Sequence, residues 1–326
     1  MNDDVEVRRA TLADLPGILA LARRTLGWNG GDDDERFFRW KHLENPFGAS
    51  PMWVATAGER VVGFRSFLRW ELSRRDESHF RAVRAVDTAT DPDFQGRGIF
   101  TRLTLLGLEE LEHDGVALVF NTPNGKSLPG YLQMGWQIAG RPAVSVMPTS
   151  VSSLWQLAGA RRPASLIPIE MHVGTPPSDV FSDDDALARL VMRLPVHEGL
   201  TSRRTPSYLR WRYGFSPLRY RVVAHSTDIE DGFAVFHLRR RGRAVEATIC
   251  DVLVPEATPA VEHELMRRIG ELTQADYLLR VDRRHVLQGF VPVPRTGPIV
   301  TFRSLDGRPV PHRRDLSFTM GDLELF

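Results

Sequence analysis

At 326 residues the chain exceeds the usual span of one domain, and two domains of roughly 150 residues each are the expectation. Forty-two Lys and Arg against 41 Asp and Glu leave a net charge of +1, without the basic excess that neutralising a phosphate backbone requires, so no nucleic-acid partner is expected. A single cysteine, Cys250, excludes an internal disulfide and a multi-cysteine zinc site, and the ten histidines show no HExxH-like spacing, so no metal is expected.

The opening MNDDVEVRRA carries acidic residues and no apolar signal-peptide core, and no later run approaches the ~18 consecutive apolar residues of a membrane span. The expectation is a cytoplasmic protein with no membrane partner. TLADLPGILALARRTLG then opens on Thr11 as an N-cap, sets Leu15, Ile18, Leu19, Ala22 and Leu26 on one face, and closes at Gly27: an amphipathic helix. GDDDERFFRWKHLENP predicts a second helix, its acidic first turn suited to the positive end of the helix dipole. Strands are predicted over 52–57, 61–70, 79–90 and 116–121, helices over 98–113 and about 125–134, and a last strand over 136–147 after Gly135. This alternation describes a mixed α/β (α+β) domain.

The chain then nearly repeats itself. FFRWKHLENP (37–46) and YLRWRYGFSP (208–217) align Phe37 with Tyr208, Arg39 with Arg210, Trp40 with Trp211 and Pro46 with Pro217. Both copies continue into a β-type run, a glycine-headed strand and an Asp entering a further strand, Asp87 in VDTATDP and Asp251 in CDVLVP. The expected organisation is a first domain over 1–147, a linker over 148–178 with one short apolar helix among Pro-rich turns, and a related second domain over 179–326.

The densest chemical signal is DPDFQGRGIFTRL (91–103), at the junction of a predicted strand and a predicted helix. Glycines there let main-chain N–H groups approach an anion such as a diphosphate, and the helix N-terminus adds about half a positive charge; a plain tight turn is the alternative. Arg97 can add a side-chain cation. Downstream, NTPNGKSLPGYLQMGW (121–136) completes a pattern. Together the two stretches resemble the GNAT superfamily of acyl-CoA N-acyltransferases, whose Q/R-x-x-G-x-G/A is met by Gln95 and Gly98 and whose N-x(6)-Y-x(3)-G-F is met by Asn124, Tyr131, Gly135 and Trp136. Phe100 departs from the pattern, which has Gly or Ala there; its ring either crowds the diphosphate or turns into the helix packing.

The resemblance implies two tandem GNAT-like domains, with acetyl-CoA in a cleft between splayed parallel strands, here 85–90 and 116–121. It implies that Thr88, Ala89 and Thr90 pair with the pantetheine arm, that N–H groups of Gly96, Arg97, Gly98, Ile99, Phe100 and Thr101 hold the diphosphate behind Gln95, and that Asn124 contacts the cofactor arm. Tyr131 would protonate the departing thiolate. The acceptor would be an amine, whose ammonium form must lose a proton; Val119 and Arg84 stand where related enzymes carry a glutamate, leaving Asp87 as the candidate base. Its recurrence as Asp251 fits a structural hydrogen bond equally well. The C-terminal carboxylate at Phe326 is a further candidate. The second copy has VPEATP in place of the glycine turn and no Tyr in register with Tyr131, so it is expected to bind no coenzyme. The implied reaction is direct N-acetylation of a small-molecule amine, with a non-catalytic acyl-CoA sensor as the alternative.

Overall fold

The computed structural model describes residues 5–28, 32–75, 77–150, 165, 168–281 and 289–324. The first half contains β1 (Glu6–Arg9), α1 (Leu15–Thr25), α2 (Asp32–His42), β2 (Met52–Ala57), β3 (Arg60–Arg74), β4 (Glu77–Thr90), α3 (Ile99–His113), β5 (Leu118–Asn121), α4 (Leu128–Gln133), β6 (Gln137–Gly140) and β7 (Val144–Pro148). The second contains α5 (Pro177–Val180), α6 (Asp184–Met192), β8 (Thr201–Ser202), α7 (Pro206–Gly214), β9 (Arg221–Ala224), β10 (Phe233–Arg241), β11 (Ala244–Leu253), α8 (Pro259–Thr273), β12 (Tyr277–Val281), β13 (Val291–Val293), β14 (Val300–Ser304) and α9 (Met320–Leu323). The fold is mixed α/β, with two sheets. Among the described residues no helix is long and apolar enough to cross a membrane. The short apolar helix expected within 148–178 falls mostly outside the described residues.

The first sheet runs β1-β2-β3-β4-β5-β14-β6 and the second β13-β7-β12-β11-β10-β9. Matched through the repeat, β2-β3-β4-β5 corresponds to β9-β10-β11-β12, and each series is then extended by a strand from the opposite half of the sequence. β14 pairs with β5, Thr301 opposite Asn121, while β7 pairs with β12, Val281 opposite Val144. The compact units are accordingly discontinuous: Met1–Ser73, Glu77–Gly140 and Ile299–His312 form one, and Arg74–Asp76, Arg141–Pro298 and Arg313–Phe326 the other. Contiguous halves divided by a linker at 148–178 do not describe this exchange. The strand read as continuous over 136–147 is broken after Gly140, which lies at φ +131°, and Pro142 follows without an N–H to continue the ladder. The released strand joins the other sheet. The repeat is also written in the backbone, since Gly135 before β6 and Gly289 before β13 sit at φ +89° and +87°.

In the first unit one apolar core lies under α3 and α4, with Trp53, Phe67, Ile99, Leu103, Tyr131 and Trp136 among its members. A second packs α1 and α2 against other residues of the sheet through Leu15, Ile18, Leu19, Phe38 and Phe64. The α1 entry differs slightly from a helix beginning at Thr11. Thr11 and Asp14 close a capping box around a short 3₁₀ turn, Leu12–Asp14, and the α-helix starts at Leu15 with proline in its first turn.

Candidate active site

Parallel strands β4 and β5 pair only at Ala82–Leu118, Val83–Val119 and Arg84–Phe120. Beyond Arg84 the two strands no longer pair, and β5 is paired along its other edge to β14 over Leu118–Asn121. The unpaired stretch of β4 is where Thr88, Ala89 and Thr90 lie; the Thr88 hydroxyl donates to the Phe64 carbonyl at 3.2 Å. From Ala85 to Thr90, where the splay is expected, β4 has no β5 partner, β5 itself ending at Asn121.

The chain then enters the glycine turn. Asp91, buried, anchors its start by accepting bonds from Arg24 at 2.8 Å, Arg60 at 2.5 Å and the Asp93 amide at 3.1 Å. Burial opposes ionisation of this carboxyl, but the amide and the two guanidinium groups outweigh it and hold Asp91 below the ordinary carboxylate range. Gly96 and Gly98 both adopt the left-handed backbone, at φ +74° and +72°, and a Cβ built on either would meet nothing within 4 Å. Glycine therefore serves conformation here, and the surface above the turn is open. The first helical bond of α3 runs from the Arg102 amide to the Gly98 carbonyl at 3.0 Å, and the amides of Gly96 to Thr101 donate to no carbonyl among the described residues. Six main-chain donors thus gather at an exposed helix N-terminus, the arrangement that binds phosphate-type anions.

The side chains of the turn are arranged around these donors. Gln95 donates to the Thr90 carbonyl at 3.4 Å; Arg97 stacks 4.7 Å over the Phe94 ring and donates to the Asp93 carbonyl at 3.3 Å. Ile99 is buried in the core and Thr101 is exposed. Phe100 turns inward and stands edge-on to Tyr131 with ring centroids 5.4 Å apart, close enough to Gly130 that a Cβ there would lie 3.1 Å from its ring. The ring bridges α3 to α4 and leaves the space over the two glycines clear.

Asn124 organises the entry to α4. Its side-chain Oδ1 accepts from the Lys126 and Ser127 amides, each at 3.0 Å, at the turn that leads into α4, where Tyr131 is 3% exposed. The Tyr131 oxygen accepts a 2.7 Å bond from Arg65 on β3, a residue the sequence reading did not single out.

Asp87 occupies a different setting from that of a free base. It interrupts β4 at φ +35°, and one oxygen receives Lys41 Nζ at 2.7 Å and His42 Nε2 at 2.8 Å. Burial would raise its pKa, but the Lys41 charge and the His42 bond hold it well below the carboxylate range. His42, pushed by burial toward its neutral form, also touches the Ser50 hydroxyl with Nδ1 at 3.0 Å, so Nε2 carries the proton given to Asp87. In the second unit Tyr213, the repeat counterpart of His42, donates to Asp251 at 2.5 Å. The same helix position meets the same strand carboxylate in both copies. Phe326 lies outside the described residues.

Two further features lie apart from the turn. An open depression of about 520 Å³ bordered by Phe47, Arg69, Trp70, Arg81 and Asp114 lies at the opposite end of α3, where Asp114 follows the last helical residue. In the second unit His237, Cys250 and Glu324 bring three metal-type donors within 4.8 Å of one another. There His237 and Arg239 share one Glu324 oxygen, and the Arg239 cation opposes the entry of a dication.

An acetyltransferase (GNAT) family model matches residues 6–139, the stretch that carries the splay, the turn and Tyr131. That stretch is similar to a GNAT domain. No curated protein sequence matches the chain. Among solved structures, a GCN5-related N-acetyltransferase from Anabaena variabilis ATCC 29413 superposes with a TM-score of 0.65 at 14% identity, over 93% of this chain and 73% of that one. A GCN5-related N-acetyltransferase from Kribbella flavida gives 0.64 at 15% identity, over 93% and 71%. A conserved protein of unknown function from Enterococcus faecalis V583 gives 0.67 at 13% identity, over 93% and 72%. At such identities the likeness is one of fold, and it extends well beyond the GNAT domain. Family and fold together support acyltransferase activity.

Proposed function

We propose that the GNAT domain binds acetyl-CoA and transfers its acetyl group directly to an amine of a small molecule. The observation that carries this reading is the set of unengaged amides from Gly96 to Thr101 above an open, side-chain-poor turn. A diphosphate is the anion whose charge and size match several such donors at a helix start, and Arg97 stands at its margin. The unpaired edge of β4 at Thr88 to Thr90 offers main-chain groups to the amide-bearing pantetheine arm.

The thioester supplies an activated acyl carbon; the chain's own residues then position it and manage protons. Tyr131 donates its phenolic hydrogen to the sulfur as the C–S bond breaks, so that the leaving group departs as the thiol. Direct transfer is favoured over an acyl-enzyme because Cys250 is fully buried in the second unit and burial pushes its thiol up, away from the thiolate form. Asp87 is given an anchoring role rather than that of base. An ion-paired carboxylate held this acidic takes no proton from an alkylammonium of pKa ~10.4, so the amine enters as its neutral fraction or loses its proton to water. The same absence of a placed base favours the second reading, a domain that binds acyl-CoA without turnover.

Calorimetric titration with acetyl-CoA followed by thiol release across an amine panel separates the two. The proposal expects binding, turnover on at least one amine, and a loss of about 100-fold in kcat for Tyr131→Phe with binding intact. Binding without turnover on any amine supports the sensor.

A further inference from the structure

Arg65 lies in the middle of β3, fully buried, in the GNAT domain's core. Its Nη1 donates to the Tyr131 oxygen at 2.7 Å, and its Nε and Nη2 have no hydrogen-bond partner among the described residues. No carboxylate pairs with it among the described residues. Instead its guanidinium carbon stands 4.6 Å from the ring centre of Phe67, 5.3 Å from that of Tyr131 and 5.8 Å from that of Phe100. A cation taken out of water without an anion is costly, and contacts with aromatic faces offset only part of that cost. The nearest group able to become an anion is the Tyr131 phenol.

The hydrogen-bond direction adds a second constraint. A guanidinium has donors only, so the phenol oxygen must accept from Arg65 and its single hydrogen must point elsewhere. That hydrogen has no acceptor among the described residues.

Resting on the reading of Tyr131 as the proton donor, we propose that Arg65 is a positioning residue for that step: it aims the phenolic hydrogen away from itself and serves as counter-ion to the phenolate formed. As the amine attacks, the acyl carbon–sulfur bond breaks with its electron pair on sulfur, and the Tyr131 O–H proton moves to that sulfur to give the thiol. The O–H electron pair stays on the phenolate, 2.7 Å from a cation in a water-poor core, where Coulomb attraction is strong. The proton shed by the acylated amine returns through solvent to Tyr131, so the net change is thioester plus amine to amide plus thiol. The aromatic rings of Phe67, Phe100 and Tyr131 surround Arg65 without giving it a competing carboxylate.

The test is a double-mutant cycle on kcat with Arg65→Met, Arg65→Lys, Tyr131→Phe and the Arg65→Met/Tyr131→Phe pair, alongside acetyl-CoA affinity and thermal unfolding of each. Arg65→Met should lower kcat about 10- to 100-fold with the acetyl-CoA Kd unchanged, Arg65→Lys should recover part of the loss, and Arg65→Met should cost nothing further in the Tyr131→Phe background. If Tyr131→Phe keeps full kcat, the reading of Tyr131 as donor fails. If Tyr131→Phe is impaired but Arg65→Met lowers kcat equally in both backgrounds, or not at all, only the role of Arg65 is overturned. Should Arg65→Met not fold, the Arg65→Lys cycle decides: a loss confined to the chain that keeps Tyr131 supports the role, and a loss that persists in the Tyr131→Phe background refutes it.

Discussion

Between β4 and α3 the chain runs DPDFQGRG, with Gly96 and Gly98 in the left-handed region; between β11 and α8 it runs VPEATP, with Glu256 at φ +57° and prolines at 255 and 259. Both turns join a strand carrying the repeated Asp to a long helix. The first presents six unengaged amides to open space. The second replaces donors with proline nitrogens, sets a carboxylate at the bend and uses the Val261 and Glu262 amides on the Thr258 carbonyl at 3.1 and 3.2 Å. The two turns thus share a strand-to-helix setting and differ at the surface where an anion would sit. Scaffold and binding function are separable here, and each can be attacked alone.

The largest effect is expected from the scaffold shared by both copies. Asp251 is 2% exposed and accepts from Tyr213, Arg204 and Thr319. Asp251→Asn should lower unfolding stability by about 3–5 kcal/mol, since it removes one of the two carboxylates that neutralise buried Arg204, Asp322 being the other, and the charged acceptor of the Tyr213 and Thr319 hydroxyls. Asp87 has 16% of its side chain exposed and two partners, so Asp87→Asn should cost less, about 1–3 kcal/mol. The Asp87 deficit should also depend on pH. Its folded pKa lies below the unfolded value, so its ionised form stabilises above the ordinary carboxylate range of about 4, and that contribution is lost as pH falls further. Denaturant midpoints from pH 7 down to 3 check this. An Asp87→Asn deficit equal to that of Asp251→Asn, or one that grows in acid, contradicts the comparison.

Next comes the surface. Gly98→Glu copies the second turn's carboxylate into the first and should weaken acetyl-CoA binding by about 100-fold, through charge repulsion and a side chain at φ +72°. Because nothing lies within 4 Å of the added Cβ, the thermal midpoint should fall by only a few degrees. The reciprocal Glu256→Gly should create no second site, since Pro255 and Pro259 still lack N–H groups. Calorimetric stoichiometry of one coenzyme per chain in both the parent and Glu256→Gly is the expected outcome, and two sites in either would break the distinction drawn between the turns.

Much of this contrast is legible in the sequence, because local chemistry carries it. Glycines at a strand-to-helix junction and the capping residues of α1 act within a few positions, and their geometry follows the sequence. Asp87 is legible as a repeated residue but not as an ion-paired one, since Lys41 and His42 reach it from more than 40 positions away. Strand exchange is hidden for a related reason: nothing local in VSVMP or VTFRS says which sheet it completes, and the break at Gly140 and Pro142 reads as an ordinary turn. Arg65 leaves a fainter trace. In VVGFRSFL the period of two sets Gly63, Arg65 and Phe67 on one face, so a charge stands on an apolar side with no sequence neighbour to pair it.

The smallest effect tests which part of the coenzyme the first turn holds. Arg97 is exposed, stacked on Phe94 and tethered to the Asp93 carbonyl by a single long bond. A solvated cation of this kind contributes at most about 1 kcal/mol, so Arg97→Ala should weaken acetyl-CoA binding only about 2- to 5-fold, far less than a carboxylate set among the amides. The interaction is exposed to screening, and raising ionic strength from about 0.05 to 0.5 M should shrink the gap between parent and variant. An acyl-pantetheine lacking the nucleotide diphosphate should compete equally well for both proteins. A preference for the parent that survives high salt, or that appears equally with acyl-pantetheine, would place Arg97 against some other part of the ligand and remove the diphosphate from the glycine turn.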